Sequence, residues 1–361
     1  MRNPFFAAPL AFLYGLGIDL RHKFFDWGWL KSTEFDIPIV CVGNLTVGGT
    51  GKTPATEFLI ERLSEEYNVA VLSRGFRRKS RGFVLAITGS SFRDVGDEPK
   101  QIKLKYPDVP VAVCEKRVEG IRKLREAHPE VNLVILDDGF QHRYVESWVN
   151  IVLMDYNNPI YSDKLLPWGR LRDRRSQLHR AQFVLVTKTP DTAKPLDYRL
   201  VTKYLDLFPY QSLYFSRMKS SGVVPLFPDR AVGQGGKPAF GHPVIVMTGI
   251  ANPASLMTSV GMRYKIVDKL LFRDHHAYRM RDMNRLIEAL EEAPADTIVI
   301  TTEKDAVKLT NRKKIPLEIQ KRLYYLPIRV SFIGDGAEEN FLRQLKPYVR
   351  TNQKYSVINP Q

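Results

Sequence analysis

The sequence predicts an α/β protein built mainly on parallel sheet. Three observations lead there. Short, continuous apolar runs recur along the chain; helical or loop segments separate most of them; and one run ends in a glycine-rich turn that opens a helix. A run that is apolar at every position reads as a strand covered on both faces, as strands of parallel sheets are.

The elements follow in order. Residues 37–42 (IPIVCV) read as a buried strand, and residues 55–66 as a helix with Phe58, Leu59 and Leu63 on one side. Further strands are expected over residues 69–72, 109–113, 132–136, 150–154, 183–187, 244–247 and 297–300. The stretch 168–180 (WGRLRDRRSQLHR) is dense in arginine, and a change of domain is expected after about residue 175. Residues 223–243, rich in Pro and Gly, read as a connector or exposed excursion. The expected organisation is therefore an N-terminal segment (1–30), a first domain (31–175), a second α/β domain (176–345) and a tail (346–361), with no internal repeat.

A chain of 361 residues with 44% apolar residues has material for more than one ordinary core. Its two cysteines, Cys41 and Cys114, lie far apart in apolar runs, which argues for buried thiols rather than a disulfide framework or zinc site. Lys and Arg total 54 against 39 Asp and Glu, a net charge of +15. Such a balance favours an anionic partner, and with no nucleic-acid module signature a membrane surface or a phosphorylated substrate takes precedence.

The N-terminus (MRNPFFAAPLAFLYGLGIDLRHKFFDWGWLK) is rich in Phe, Leu, Trp and Ala, with Arg2, Arg21, His22, Lys23 and Lys31 as its basic residues. Its uncharged run, residues 3–18, is 16 residues long and carries two Pro and two Gly. That falls short of the roughly 20 apolar residues needed to span a bilayer. A single preceding basic residue and no clear small-x-small site argue against a signal peptide. A core helix and an interfacial helix lying on a membrane both remain open on composition.

Residues 43–53 read GNLTVGGTGKT. Against the phosphate-loop pattern G-x-x-x-x-G-K-[ST], Gly51, Lys52 and Thr53 match, while Thr46 stands where the first Gly would. The strand before and helix after are the context the pattern requires. Thr46, Val47, Gly48, Gly49, Thr50, Gly51, Lys52 and Thr53 are thus candidate nucleotide-binding residues. Glycines let backbone N–H groups turn toward phosphate oxygens, and the following helix points its positive end at them. Lys52 would reach the β- and γ-phosphates of ATP or a similar nucleotide, and the Thr53 hydroxyl would ligate Mg²⁺.

Such a site needs a carboxylate near the metal at a strand end. LVILDD (133–138) supplies it, with either Asp137 or Asp138 able to serve. Gly96-Asp97-Glu98-Pro99 is a second acidic site, on its own an ordinary turn. In FRDHHAY (272–278) the adjacent histidines face different ways and make a poor chelate, whereas a single His near a phosphoryl acceptor is chemically reasonable. Arg74 and Arg77, in the loop after the second strand, are candidate phosphate ligands or a solvated basic turn. A GTPase reading requires Asn-Lys-x-Asp, and Thr187-Lys188-Thr189-Pro190-Asp191 does not fit it.

Taken as a set, the aromatic N-terminus, VGNLTVGGTGKTP, LSRGFRR, VGDEP, LDDGFQHR, LLPWGRLRD, FRDHHAY and TTEKDAVKL resemble the tetraacyldisaccharide 4'-kinase family of lipid A biosynthesis over most of the chain. The resemblance implies two α/β/α domains, the first a P-loop NTPase-like parallel sheet, with the active site in the cleft between them. It implies ATP as cosubstrate, Mg²⁺, and an acylated glucosamine disaccharide 1-phosphate as acceptor. It also implies peripheral association with the anionic cytoplasmic face of the inner membrane, favouring the interfacial reading of the N-terminus. No nucleic acid and no obligate protein partner are expected. By resemblance, Asp97 is the catalytic base and His275 its partner, Asp137 and Asp138 are the Mg²⁺-linked pair, and Gln141 is an active-site position. Arg172 and Asp173 match an Arg-acid pair. Relatives commonly read GPLRE there, where this chain reads WGRLRD.

Overall fold

The structure, a computed structural model, describes residues 4–220, 222–231, 238–310 and 315–350. Arg2, residues 232–237 of the Pro/Gly-rich stretch and residues 351–361 of the expected tail lie outside the described residues. The chain forms two compact units: one runs up to Met218 and resumes at Arg329, and the other spans Lys219–Ile328.

The first unit is built on a nine-stranded sheet. Its order is Arg329–Phe332, Ser212–Lys219, Phe183–Thr187, Val149–Asp155, Ile39–Asn44, Leu133–Asp137, Val69–Ser73, Val111–Val113, Val84–Ala86. The strands from Val111–Val113 across to Ser212–Lys219 pair in parallel, and Val84–Ala86 closes one edge antiparallel. The central strands are buried at every position, as their unbroken apolar runs predict. Because parallel strands all end on one edge, the loops after Asn44, Ser73, Asp137, Asp155 and Thr187 gather there.

The second unit has a five-stranded sheet, ordered Lys265–Leu271, Pro243–Thr248, Ile298–Thr302, Leu323–Leu326, Val224–Pro225, parallel except for the last pairing. The expected α/β class with parallel sheet holds in both units.

The expected boundary near residue 175 does not hold. The strands Phe183–Thr187 and Ser212–Lys219 continue the first sheet, and the chain returns to it after residue 328. The arginines that marked a boundary are internal ties instead: Arg174 bonds Asp19 at 2.7 Å, and Arg180 donates to the Phe140 carbonyl at 2.9 Å. The return is held by aromatic packing. Phe332 and Phe341 lie 5.0 Å apart, with Phe58 of the loop-following helix 5.2 Å from Phe332 and Phe183 5.2 Å from Phe341. Residues 346–350 belong to the closing helix Ala337–Arg350 and not to a tail.

Residues Pro4–Asp26 form one 23-residue helix. Ala7, Ala11, Gly15, His22 and Phe25 are buried against the first unit, while Leu10, Phe12, Leu13, Leu16 and Leu20 are exposed. Small residues on the inner face allow close approach: a Cβ on Gly15 would sit 2.6 Å from the Arg174 guanidinium. Among the described residues no helix is long and apolar enough to cross a membrane.

Candidate active site

The phosphate loop leaves the central strand Ile39–Asn44 and enters the helix Lys52–Leu63. Gly48 and Gly51 take φ of 110° and 86°, open to glycine and strained for other residues. Thr46 stays out of that region and bridges antiparallel to Leu171. Val47 N–H donates to the Arg170 carbonyl (2.8 Å) and Arg172 N–H to that of Leu45 (2.7 Å). A residue in such a ladder needs no glycine, which accounts for the departure from the pattern. The loop is braced from three sides. Asn44 Nδ2 donates to Thr50 Oγ1 at 2.9 Å, Thr187 Oγ1 donates to the Thr50 carbonyl at 2.8 Å, and Lys188 links the Gly49 carbonyl to Asp155.

Asp137 ends the neighbouring strand, in register with Val42, and Asp138 follows with φ of 53°. The two carboxylates differ sharply. Asp138 is held by the two terminal nitrogens of the Arg172 guanidinium, and Lys52 Nζ lies 3.7 Å away. Burial works against its charge, but Lys52 and Arg172 outweigh it and hold the carboxylate well below its usual range. Asp137 is fully buried, and its Oδ2 has no hydrogen-bond partner; Oδ1 has only a long contact, 3.4 Å, from Thr56. Burial, then the charges of Glu98 and Asp138, push its carboxyl up to about 7.

Arg74 and Arg77 are exposed in the loop after Val69–Ser73; their neighbour Arg78 is the structural arginine, bonding Glu115 at 2.6 Å. This loop lies against the start of the Asp97–Lys105 helix, where a Cβ on Gly96 would approach Gly75 Cα at 3.2 Å. Asp97 and Glu98 form that helix's first turn and are half-buried. Arg117 is buried nearby, with two guanidinium nitrogens lacking partners; burial pushes it down to about 10 despite Asp138 and Asp137.

Gln141 Nε2 donates to the Asn44 carbonyl at 2.7 Å, and Arg21 of the first helix donates to the Gln141 carbonyl at 2.8 Å. Arg172 and Asp173 do not pair with one another. Asp173 is buried, accepting from Arg174 N–H and bonding His22 Nε2 on the first helix, each at 2.8 Å. Arg172 thus serves the acidic strand end and Asp173 ties down the N-terminal helix.

In the second unit the two histidines of the DHH run have different partners. His276 stacks on Phe272 at 4.5 Å and bonds Asp282 at 2.9 Å. His275, with φ of 60°, has Lys304 Nζ 3.3 Å and Asp274 Oδ2 3.7 Å from its Nε2.

The loop residues, Asp137, Asp138, Gln141 and Arg172 are therefore brought together, with the Arg74 loop and Asp97 packed next to each other on the same unit. His275 belongs to the other unit. Sequence reasoning gave no site role to Asn44, Arg117 and Lys188, and read Glu98 only as part of the Gly96–Pro99 acidic turn. Asn44 and Lys188 carried a signal, since Asn44 ends and Lys188 directly follows a strand that opens on the phosphate loop's edge. The charges of Glu98 and Arg117, by contrast, act on Asp137 and Asp138 through packing that no local pattern reveals.

The family model described as tetraacyldisaccharide-1-P 4'-kinase matches residues 4–347. The tetraacyldisaccharide 4'-kinase of Bacteroides fragilis strain YCH46 is 42% identical over 351 residues, covering 96% of this chain and 93% of its own length. That of Porphyromonas gingivalis strain ATCC 33277 is 44% identical over 336 residues, covering 91% and 92%. A crystal structure of LpxK from Aquifex aeolicus in complex with ATP superposes with a TM-score of 0.72 at 25% identity, covering 95% of this chain and 98% of that one.

Proposed function

The chain belongs to the tetraacyldisaccharide 4'-kinase family, and from that premise we infer how its residues transfer the γ-phosphoryl of ATP to the 4'-hydroxyl of a tetraacylated glucosamine disaccharide 1-phosphate, forming lipid IVA. The observation that carries the reading is the pairing of an intact phosphate loop with Asp138, which sits between Lys52 and Arg172 at the next strand's end.

Phosphoryl transfer asks the protein mainly for positioning and charge stabilisation. The loop amides from Val47 to Thr53 and the Lys52 ammonium hold the β- and γ-phosphates. Arg172, fixed by Asp138, and the exposed Arg74 and Arg77 add cationic groups along the same strand edge. By the family resemblance, Asp97 is the base that takes the proton of the sugar hydroxyl during in-line attack and His275 is the second member of that catalytic pair; Gln141 fixes the strand end at Asn44 beside the loop.

The residues suit a magnesium ion. Asp137 carries a buried oxygen without a partner, and burial, then the charges of Glu98 and Asp138, raise the pKa of its carboxyl. Thr53, Asp137 and Asp138 would hold it, with Asp137 the better direct ligand because Arg172 occupies both Asp138 oxygens. When bound, the ion neutralises charge on the phosphate oxygens.

The exposed apolar face of the Pro4–Asp26 helix, the net charge of +15 and an acylated acceptor support peripheral docking on the anionic cytoplasmic face of the inner membrane.

The assignment of Asp97 is tested by Asp97→Ala. General-base help contributes about 10²–10⁴-fold, so kcat falls by that factor while ATP affinity is unchanged. Near-normal turnover removes Asp97 from the role.

A further inference from the structure

The TTEKDAVKL run stood out in the sequence, yet none of its residues has entered the mechanism. We propose that Lys304 and Asp305 are positioning residues for His275: Asp305 fixes its backbone, and Lys304 fixes its ring. The proposal rests on the reading of His275 as the partner of the catalytic base.

Asp305 is fully buried at the start of the short helix Glu303–Ala306, which Thr302 caps by accepting from Asp305 N–H. Its Oδ2 accepts from Thr248 Oγ1, Gly249 N–H and Thr302 Oγ1, each at 2.9 Å, and its Oδ1 from buried Lys308 at 3.0 Å. These bonds satisfy the carboxylate and make it a rigid anchor. On the other side of the Gly249 Cα, the Gly249 carbonyl in turn accepts the His275 N–H at 3.1 Å. Gly249 leaves no slack, since a Cβ there would sit 3.0 Å from His276 Cβ and 3.1 Å from the Arg273 carbonyl. His275 adopts φ of 60°, a conformation that is strained for a non-glycine residue and persists only where the surroundings enforce it. The chain from Asp305 through Gly249 to His275 is that enforcement.

The next residue back controls the ring. Lys304 Nζ lies 3.3 Å from His275 Nε2. An ammonium has three donors and no acceptor, so Nε2 must accept, and the neutral ring carries its proton on Nδ1. Nδ1–H is then the group His275 presents to a carboxylate. Asp274, 3.9 Å from Lys304, steadies the ammonium. Two successive residues of one motif thus set the backbone angle and the tautomer of the same histidine.

The test is Lys304→Met in the full-length protein, read by ¹⁵N chemical shifts of the His275 ring and by steady-state kinetics, with Lys304→Arg as the conservative control. Lys304 is only partly buried, so the variants are expected to fold. The proposal predicts that His275 moves from the Nδ1–H form toward the Nε2–H form in Lys304→Met. It predicts that kcat falls about tenfold, a part of the roughly 10²–10⁴ available to base catalysis, with KM for ATP unchanged and with Lys304→Arg restoring both. An unchanged tautomer overturns the assignment of Lys304. A changed tautomer with unchanged kcat leaves the positioning intact and instead removes His275 from the catalytic pair. For Asp305, Thr248→Val deletes one of its donors without burying a new charge; the backbone ¹⁵N shift of His275 should move, and an unmoved signal overturns the anchor.

Discussion

Arg172 grips Asp138 with both arms of its guanidinium, Nη1 to Oδ2 at 3.0 Å and Nη2 to Oδ1 at 2.7 Å. The pair joins the end of an internal strand to the segment that ladders with Thr46 of the phosphate loop. Loop, acidic strand end and arginine are therefore one mechanical unit. Removing an interaction to a charged group costs about 1.5–3 kcal/mol, so Arg172→Ala should lower kcat/KM by about ten- to a hundredfold. Arg172→Lys, which keeps the charge and loses the fork, should recover only part of it. Full activity in Arg172→Lys would show that charge alone matters.

Asp137 predicts a pH dependence. Its carboxyl is pushed from the ordinary 3.8 up to about 7, first by burial and then by Glu98 and Asp138. Between those values the folded protein keeps a proton that the unfolded chain has lost. This group's contribution to stability is therefore greatest below the ordinary value, declines as pH rises toward about 7, and is level above it. In metal-free protein, Asp137→Asn should abolish that decline, read as a smaller difference in Tm between about pH 4 and about pH 8. With Asp137 as the proposed magnesium ligand, the ion competes with the same proton, so its affinity should rise with pH across the window in the parent protein.

Gly51 predicts a loss that cannot be repaired from outside. Its φ of 86° strains any side chain, and a Cβ would collide with the Met218 methyl. Gly51→Ala should weaken ATP binding measured calorimetrically. Met218→Ala in the same chain should remove the collision but not the backbone strain, about 1–2 kcal/mol, so binding returns in part. Complete rescue would mean that the left-handed geometry is not required.

Asp173 predicts a local effect far from the phosphates. Its 2.8 Å bond to His22 is buried, and leaving a buried partner unsatisfied costs about 1–3 kcal/mol. Asp173→Ala should speed hydrogen exchange in the Pro4–Asp26 helix while exchange in the central strands stays slow. Unchanged exchange in that helix would show that the pair does not hold it.

Much of this was legible in the sequence, for reasons particular residues make plain. The strands Ile39–Asn44, Leu133–Asp137 and Phe183–Thr187 are buried on both faces, so their apolar runs could not hide. Lys265–Leu271 and Arg329–Phe332 were missed because edge strands carry charges and lose that pattern. Gly51, Lys52, Thr53 and Asp137 were visible because their chemistry dictates local spacing. The role of Asp173 was not, since its partner His22 stands 151 residues away. The arginine-rich stretch misled for the same reason: charge density reads as a linker until Asp19, Asp138 and the Phe140 carbonyl appear as its partners.

The exposed side of the first helix predicts lipid binding. Phe12 and Leu13 are 63% and 62% exposed on a helix whose inner face is already packed. Phe12→Ser with Leu13→Ser should cut co-sedimentation with vesicles of anionic phospholipid while leaving Tm within a degree or so, because surface changes of this kind move stability by about 0.5 kcal/mol or less. Undiminished binding would place the contact elsewhere on the protein.

The reaction itself is tested by incubating purified protein with Mg²⁺, γ-labelled ATP and tetraacyl disaccharide 1-phosphate, the lipid product then analysed for the position of the label. The expected result is label on the 4'-oxygen of the glycolipid, abolished by Lys52→Ala. Label appearing only in inorganic phosphate, or on another oxygen of the disaccharide, would contradict it.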